Sequence, residues 1–414
     1  IAETRDGGYI VGGDFLSKNI SLKTTFLTNK NGIYFDGMII KYSSSGEVEW
    51  AQEIGGTGSD YINAVAETRD GGYIVGGYFN SKSIDLGNGV SLINKGSNDG
   101  MIIKYSSDGE IEWAQGIGGT NIDQINSVAE CSDGGYIVGG DFYSDSIDLE
   151  NGIILSNNTN TNGTRYADGM VIKYNESGEV EWAKEIGGTS NDHIASVAET
   201  KDGGYIVVGE FSSTSIDLGN GVSLTNKGNF DGMIIKYSNN GEVEWARGIG
   251  GTSNDNIASV AETRDGGYIV GGCFDSSNID LGNGISISSK GSSDGMIIKY
   301  SSSGEVEWAK GIGETAYASR TSVAETKDGN SIVGGYFRSS SINLDNGKTL
   351  INKGNQNGMI LKITNKIGVP EVQELEVDNK RKEFKITTDV KEIDNIKGGS
   401  ISGEDENPYE KVKY

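Results

Sequence analysis

Four aspartates, Asp60, Asp123, Asp192 and Asp255, recur at matching positions in the chain. Carboxylates repeated in this way are hard, anionic oxygen donors. Set on one ring about 10 Å apart, each pair repels by roughly 0.4–1.7 kcal/mol, depending on the local dielectric. Such a ring either raises its pKa values or holds a cation, and calcium, which takes about 6–8 oxygen ligands, would suit it. Asp in loops more often closes a turn on its own backbone. That bland reading stands beside the calcium site.

The residue after each of these aspartates varies: Tyr61, Gln124, His193, Asn256, and Ser319 in a copy where Ala318 replaces the aspartate and Tyr317 and Arg320 lie alongside. Here otherwise near-identical stretches differ, so Tyr61, Gln124, His193, Asn256, Tyr317 and Arg320 are the candidate ligand-binding residues. His193 is the only histidine, which removes multi-histidine metal sites. An exposed, inert imidazole is its commoner state. A serine triad would have to use it, and no nucleophile elbow accompanies it. Glycoside hydrolysis needs only two acids at a defined separation, but no acid pair stands out as unique to one copy. The expectation is a protein that is not an enzyme and needs no cofactor, calcium aside.

The composition narrows the class. Among 414 residues there are 64 glycines but only 2 prolines, which excludes collagen and argues against long helices. Lys+Arg 35 against Asp+Glu 59 gives a formal charge of −24, which repels nucleic-acid phosphate. No apolar run approaches the roughly 18 residues of a membrane span. Two cysteines, Cys131 and Cys273, are too few for a disulfide framework.

Three strings recur. Asp-Gly-Gly-Tyr-Ile-Val begins at Asp6, Asp70, Asp133, Asp202 and Asp265, with a degraded copy at Asp328. Asp-Gly-Met-Ile-Ile-Lys-Tyr begins at Asp36, Asp99, Asp231 and Asp294, with variants at Asp168 and Asn357. Glu-Val-Glu-Trp-Ala and its variant place Trp50, Trp113, Trp182, Trp245 and Trp308 in register. The chain is thus six units, the last without its tryptophan segment. Each unit reads as four short strands rich in β-branched residues and bordered by Gly, Asp and Ser. The glycine-rich second strand is central, and the fourth, with Glu alternating against Val and Trp, suits an outer edge.

The first and second strands are joined by tight turns, as are the third and fourth. The second-to-third link (80–99 in one unit) and the link between units (53–62) are long. In an up-and-down sheet both long links emerge on one side, where binding residues are expected. Radially repeated four-stranded sheets are propeller blades. The expected fold is all-β: a β-propeller of six four-stranded blades over 1–366, imperfectly closed, followed by a linker and partial β segment at 367–414. The glycine doublets, such as Gly76-Gly77, lack the following helix and Lys-Ser/Thr of a phosphate loop, so close packing between blades is their expected role.

The order Ser-Val-Ala, Asp-Gly-Gly-Tyr-Ile-Val-Gly-Gly, a lysine-tyrosine strand and then a tryptophan strand resembles the kelch blade, and more closely the bacterial seven-bladed β-propeller repeat family. The likeness spans about residues 1–365. It implies a secreted or surface-attached bacterial protein and transfers no catalytic motif. The stretch from Gly398 to Gly403, with Tyr409, resembles the start of an internalin B-repeat-like surface module. Ile1 falls inside a first strand, so the chain reads as a fragment of a larger exported protein. Either an upstream Glu-Val-Glu-Trp-Ala segment completes the sixth blade or a seventh unit is missing.

Repeated faces suit multivalent binding. The function expected is extracellular or cell-surface binding of glycans or proteins by a monomer through its long-loop face, without nucleic acid or membrane insertion. A structural spacer is the alternative, and a carboxylate-based glycoside hydrolase a remote one.

Overall fold

The recurrent turn between the first two strands shows how the sequence builds the sheet. Asp70 Oδ1 accepts from the Thr68 hydroxyl and, at 2.8 Å, from Gly72 N. Gly71 adopts φ 85°, a left-handed conformation that favours glycine. The computed structural model describes residues 1–364 except 24, 150–151, 159–163, 314–317, 327 and 345–347, together with short strands at Glu371–Glu374, Val377–Asp378 and Glu383–Phe384. The described residues are all β, in six antiparallel four-stranded blades arranged as a propeller.

The second blade illustrates the order: Asp60–Glu67, Tyr73–Phe79, Asp99–Tyr105 and Ile111–Ile117, each strand paired with the next in sequence. First strands of successive blades adjoin one another, so they surround a central channel and the tryptophan strands lie outside. The long second-to-third link carries a feature that composition did not disclose. In each blade it folds into a small two-stranded hairpin, such as Ser83–Gly87 with Val90–Ile93. Its Asp-Leu-Gly-Asn-Gly turn is local chemistry: Gly87 N donates to Asp85 Oδ1 at 3.0 Å, and Asn88 takes φ 53°.

The three recurrent strings meet at one buried ammonium. Lys104 Nζ lies 2.8 Å from Asp70 of the first string and 3.0 Å from Glu112 of the third. Lys41, Lys173, Lys236 and Lys299 repeat the arrangement with their own Asp and Glu. Burying a lysine without such partners would cost several kcal/mol, about 3–5 once one partner is removed. The near-identity of these motifs among blades is therefore structural.

Blades pack by glycine against branched side chains. A Cβ on Gly76 would lie 2.3 Å from Val128 Cγ1 and 2.8 Å from Ile125 Cγ2 of the next blade. This accounts for the first glycine of the doublet as close packing. Farther out, Trp50 meets Tyr73 edge-on at 5.4 Å and donates from Nε1 to Ser107 O at 3.0 Å. Trp113–Tyr136, Trp182–Tyr205 and Trp245–Tyr268 repeat the ring contact.

The junction between the sixth and first blades lacks this packing. Tyr9 is 38% exposed where Tyr73 is 2%, and nothing lies within 4 Å of a Cβ placed on Gly334. The imperfect closure expected from the sequence is present. The outer edge of the sixth blade is not left vacant, however. Glu371–Glu374 pairs antiparallel with Asn357–Thr364, with Thr364 opposite Glu371. The sheet thus continues past the composition change at 367. The internalin-like stretch from Gly398 to Tyr409 lies outside the described residues.

Candidate functional site

Strand register creates the site. The second residue of each first strand faces the sixth residue of the second strand: Tyr61 opposite Tyr78, Gln124 opposite Asp141, His193 opposite Glu210, and Asn256 opposite Cys273. Two residues farther along, a β-bulge interrupts each first strand, at Asn63, Asn126, Ala195 and Ala258. A bulge re-aims a side chain that regular pleating would place otherwise. These two sets line a cavity of about 620 Å³, with Tyr78, Gln124, Asp141, His193, Glu210 and Asn256 joined by Asn63, Asn126, Ala195, Ala258, Ile194, Ile257, Thr321 and Ser322. The walls come from the strand ends nearest the long links.

Its hydrogen bonds are specific to individual blades. Asp141, 1% exposed, accepts from Gln124 Nε2 at 3.0 Å and Asn126 Nδ2 at 2.7 Å. His193 Nδ1 lies 3.4 Å from its Oδ2. Burial alone would push the imidazole toward neutrality, but the Asp141 carboxylate, with Glu210 and Asp192 behind it, outweighs burial and holds its pKa above 6.5. Asn126 also donates to Ile194 O at 2.9 Å, and Asn63 donates to Ile125 O at 2.8 Å, each reaching the next blade. Thr321 Oγ1 is committed to Gly272 O and Met296 O. Tyr61 is sandwiched, with ring centroids 5.5 Å from Phe35 and 4.8 Å from Tyr78.

Of the expected binding residues, the structure brings Gln124, His193 and Asn256 to the cavity and sets Tyr61 behind Tyr78. Tyr317 lies outside the described residues. Arg320 belongs to the strand Ala318–Glu325, whose register with the second strand is irregular between Ser319 and Ser322. The sequence reasoning passed over Asp141, Glu210 and Tyr78. Their signal was present, since the same second-strand position reads Asp14, Tyr78, Asp141, Glu210, Cys273 and Tyr336. Asn63 and Asn126 had no such signal, because the bulge that turns them is a property of the paired strands.

The four recurrent aspartates are placed elsewhere. Asp60 Oδ2 accepts from Gly56 N at 2.9 Å and Ser81 Oγ at 2.6 Å, and Oδ1 accepts from Asn80 N and Ser81 N at 3.1 Å. Asp123, Asp192 and Asp255 repeat the pattern with Ser144, Ser213 and Ser276. Each ties the incoming link to the start of its own blade's hairpin link, and none lines the cavity. Among the described residues, no group of three or more His, Cys, Asp and Glu is placed to hold a metal ion. Cys131 and Cys273 are both buried, and Cys273 Sγ donates to Asn256 Oδ1 at 3.3 Å. Among the described residues no helix is long and apolar enough to cross a membrane.

No family model matches the chain. It is 23% identical over 309 residues to the regulatory protein FlaEY of Caulobacter vibrioides, covering 71% of this chain and 31% of that protein. It is 24% identical over 237 residues to WD repeat-containing protein L264 of Acanthamoeba polyphaga mimivirus, covering 49% of this chain and 17% of that protein. The chain thus spans less than a third of the length of these relatives. Among solved structures it is similar to the Pan2 WD40 domain of Neurospora crassa, with 10% identity, TM-score 0.42, and coverage of 81% of this chain and 72% of that one. It is also similar to Sqt1 of Chaetomium thermophilum, with 13% identity, TM-score 0.39, and coverage of 84% and 81%. The propeller assignment rests on the chain's own sheet order.

Proposed function

We propose that the chain is a non-catalytic binding module that engages a partner protein at the long-link end of its central channel, as part of an exported bacterial surface protein. One observation carries this reading: two strand positions that differ in chemical character among the blades, represented by Gln124, His193 and Asn256 and by Tyr78, Asp141 and Glu210, converge on one cavity. Selection for a stable propeller alone would favour the same good residue in every blade, as at the buried lysines. The resemblance to the bacterial seven-bladed repeat family supports the surface location, and the acidic composition suits a partner that is not nucleic acid. The single hydroxyl proton of Thr321 is directed at two backbone carbonyls rather than at a base, which supports binding over acyl-transfer chemistry.

The test is a binding screen of the purified chain against surface-protein and glycan arrays, in calcium and in EDTA, beside Gln124→Ala/His193→Ala. The expected result is saturable protein binding that the double variant weakens at least tenfold. A protein hit indifferent to the variant would overturn the channel cavity as the binding site, and with it this reading. A glycan hit lost in the variant would keep the site and change the ligand. No hit would favour the spacer.

A further inference from the structure

Resting on that reading, the occupant can be narrowed by asking what the cavity offers. Its charged lining groups are Asp141, Glu210 and His193, and neither Lys nor Arg is among its lining residues. Asp141 is buried and held by neutral amides, so its charge is positioned rather than cancelled by a fixed cation, save when His193 is protonated. The amides are polarised in one sense. Gln124 Nε2 donates to Asp141, Asn126 Nδ2 to Asp141 and Ile194 O, and Asn63 Nδ2 to Ile125 O. Both N–H groups of Asn126 and one each of Gln124 and Asn63 are engaged by the protein, so the amide oxygens add to the two carboxylates as acceptors for a guest. Tyr78, backed by Tyr61 at 4.8 Å, adds an aromatic ring to the wall.

We infer that the cavity receives a cationic side chain, an arginine guanidinium or lysine ammonium, from the partner protein. These are the side chains that only donate: five N–H groups for Arg, three for Lys, and no acceptor in either. A carboxylate or phosphate would meet two carboxylates, and a neutral sugar hydroxyl would leave their charge uncompensated. A guanidinium also stacks on an aromatic face such as that of Tyr78. The volume of about 620 Å³ exceeds one side chain, leaving room for bridging water.

The single histidine makes the test local. Blocked Gly-Arg-Gly and Gly-Lys-Gly peptides, with Gly-citrulline-Gly as the isosteric neutral control and free cadaverine as a small-molecule cation, are titrated at physiological salt while the His193 ring resonances are followed by NMR. The expected result is a saturable shift with Arg or Lys peptide and none with citrulline. Asp141→Asn and Glu210→Gln should each weaken binding at least tenfold, while Glu176→Gln, on an outer turn, leaves it unchanged. Stronger response to cadaverine than to either peptide would overturn a side-chain guest in favour of a free amine. Equal response to citrulline, equal weakening by Glu176→Gln, or no shift at all would overturn the cation. If the screened partner loses binding in the cavity variants yet keeps it after its lysines are acetylated and its arginines blocked, the inference fails while the proposed function stands. If partner binding ignores the cavity variants, the proposed function itself fails.

Discussion

Nδ1 of His193 lies 3.4 Å from Oδ2 of Asp141, although the two residues sit in neighbouring blades, 52 positions apart in sequence. Burial opposes charge on the imidazole, but Asp141, Glu210 and Asp192 together raise its pKa above 6.5. A raised histidine pKa contributes stability fully below its unfolded value and loses it as pH rises through the folded one. An NMR titration of this sole histidine should give a value above 6.5, and Asp141→Asn should bring it below. An unmoved value in the variant would show that the pair does not govern the imidazole.

Stability should peak on the acid side of neutrality. Burial above all, with the charge of Asp192 nearby, pushes the Asp168 carboxyl up to about 7, and burial brings Asp99 to about 6. Raised carboxyl pKa values give stability that is complete below the unfolded value of 3.8 and is lost as pH climbs through 6 to 7. Asp6 has the opposite sign: the Lys41 ammonium and then the Thr4 hydroxyl hold it at about 2, so its contribution fades only as pH falls toward that value. Melting temperature should be highest near pH 4–5 and decline toward pH 8. Asp168→Asn should flatten the decline and raise the pH 8 melting point by a few degrees. A flat profile in the wild type would contradict this.

Two glycines at the same blade position should respond oppositely to alanine. A Cβ on Gly139 would fall 2.6 Å from Val197 Cγ1 and 2.7 Å from Ile194 Cγ2 of the next blade, whereas one on Gly334 meets nothing within 4 Å. Gly139→Ala should cost about 1–3 kcal/mol by overpacking. Gly334→Ala should be neutral or stabilise by about 0.4–1 kcal/mol through the unfolded chain. Urea unfolding of the two variants checks both, and equal destabilisation would mean that the sixth blade's face is covered in solution.

Calcium should leave the melting temperature where EDTA leaves it. Both oxygens of Asp60 and of Asp123 already accept protein donors, Ser144 Oγ among them at 2.6 Å. Asp123→Ala should cost roughly 2–4 kcal/mol by stranding several backbone N–H groups and a buried hydroxyl. A calcium-dependent rise in melting temperature, abolished by Asp123→Ala, would instead establish a cation there.

The recurring strings and the 63-residue spacing from Asp70 to Asp133 were enough to derive six four-stranded blades, because strand alternation and glycine turns are short-range properties of the chain. The sequence also marked Gln124, His193 and Asn256 as positions free to vary. It could not show that Asp141 meets His193, since residues on different blades come together only when the ring forms. Nor could it reveal Asn63 and Asn126 as lining residues, because a bulge exists only between two paired strands. The same limit holds for the outer edge of the sixth blade. Glu371–Glu374 shares the Glu-Val start of the outer strands but has Gln373 where they have tryptophan, and its place is decided by the unpaired backbone groups of Asn357–Thr364. Local chemistry determined the blades, and the closure of blades around a channel decided which of their differences became a site.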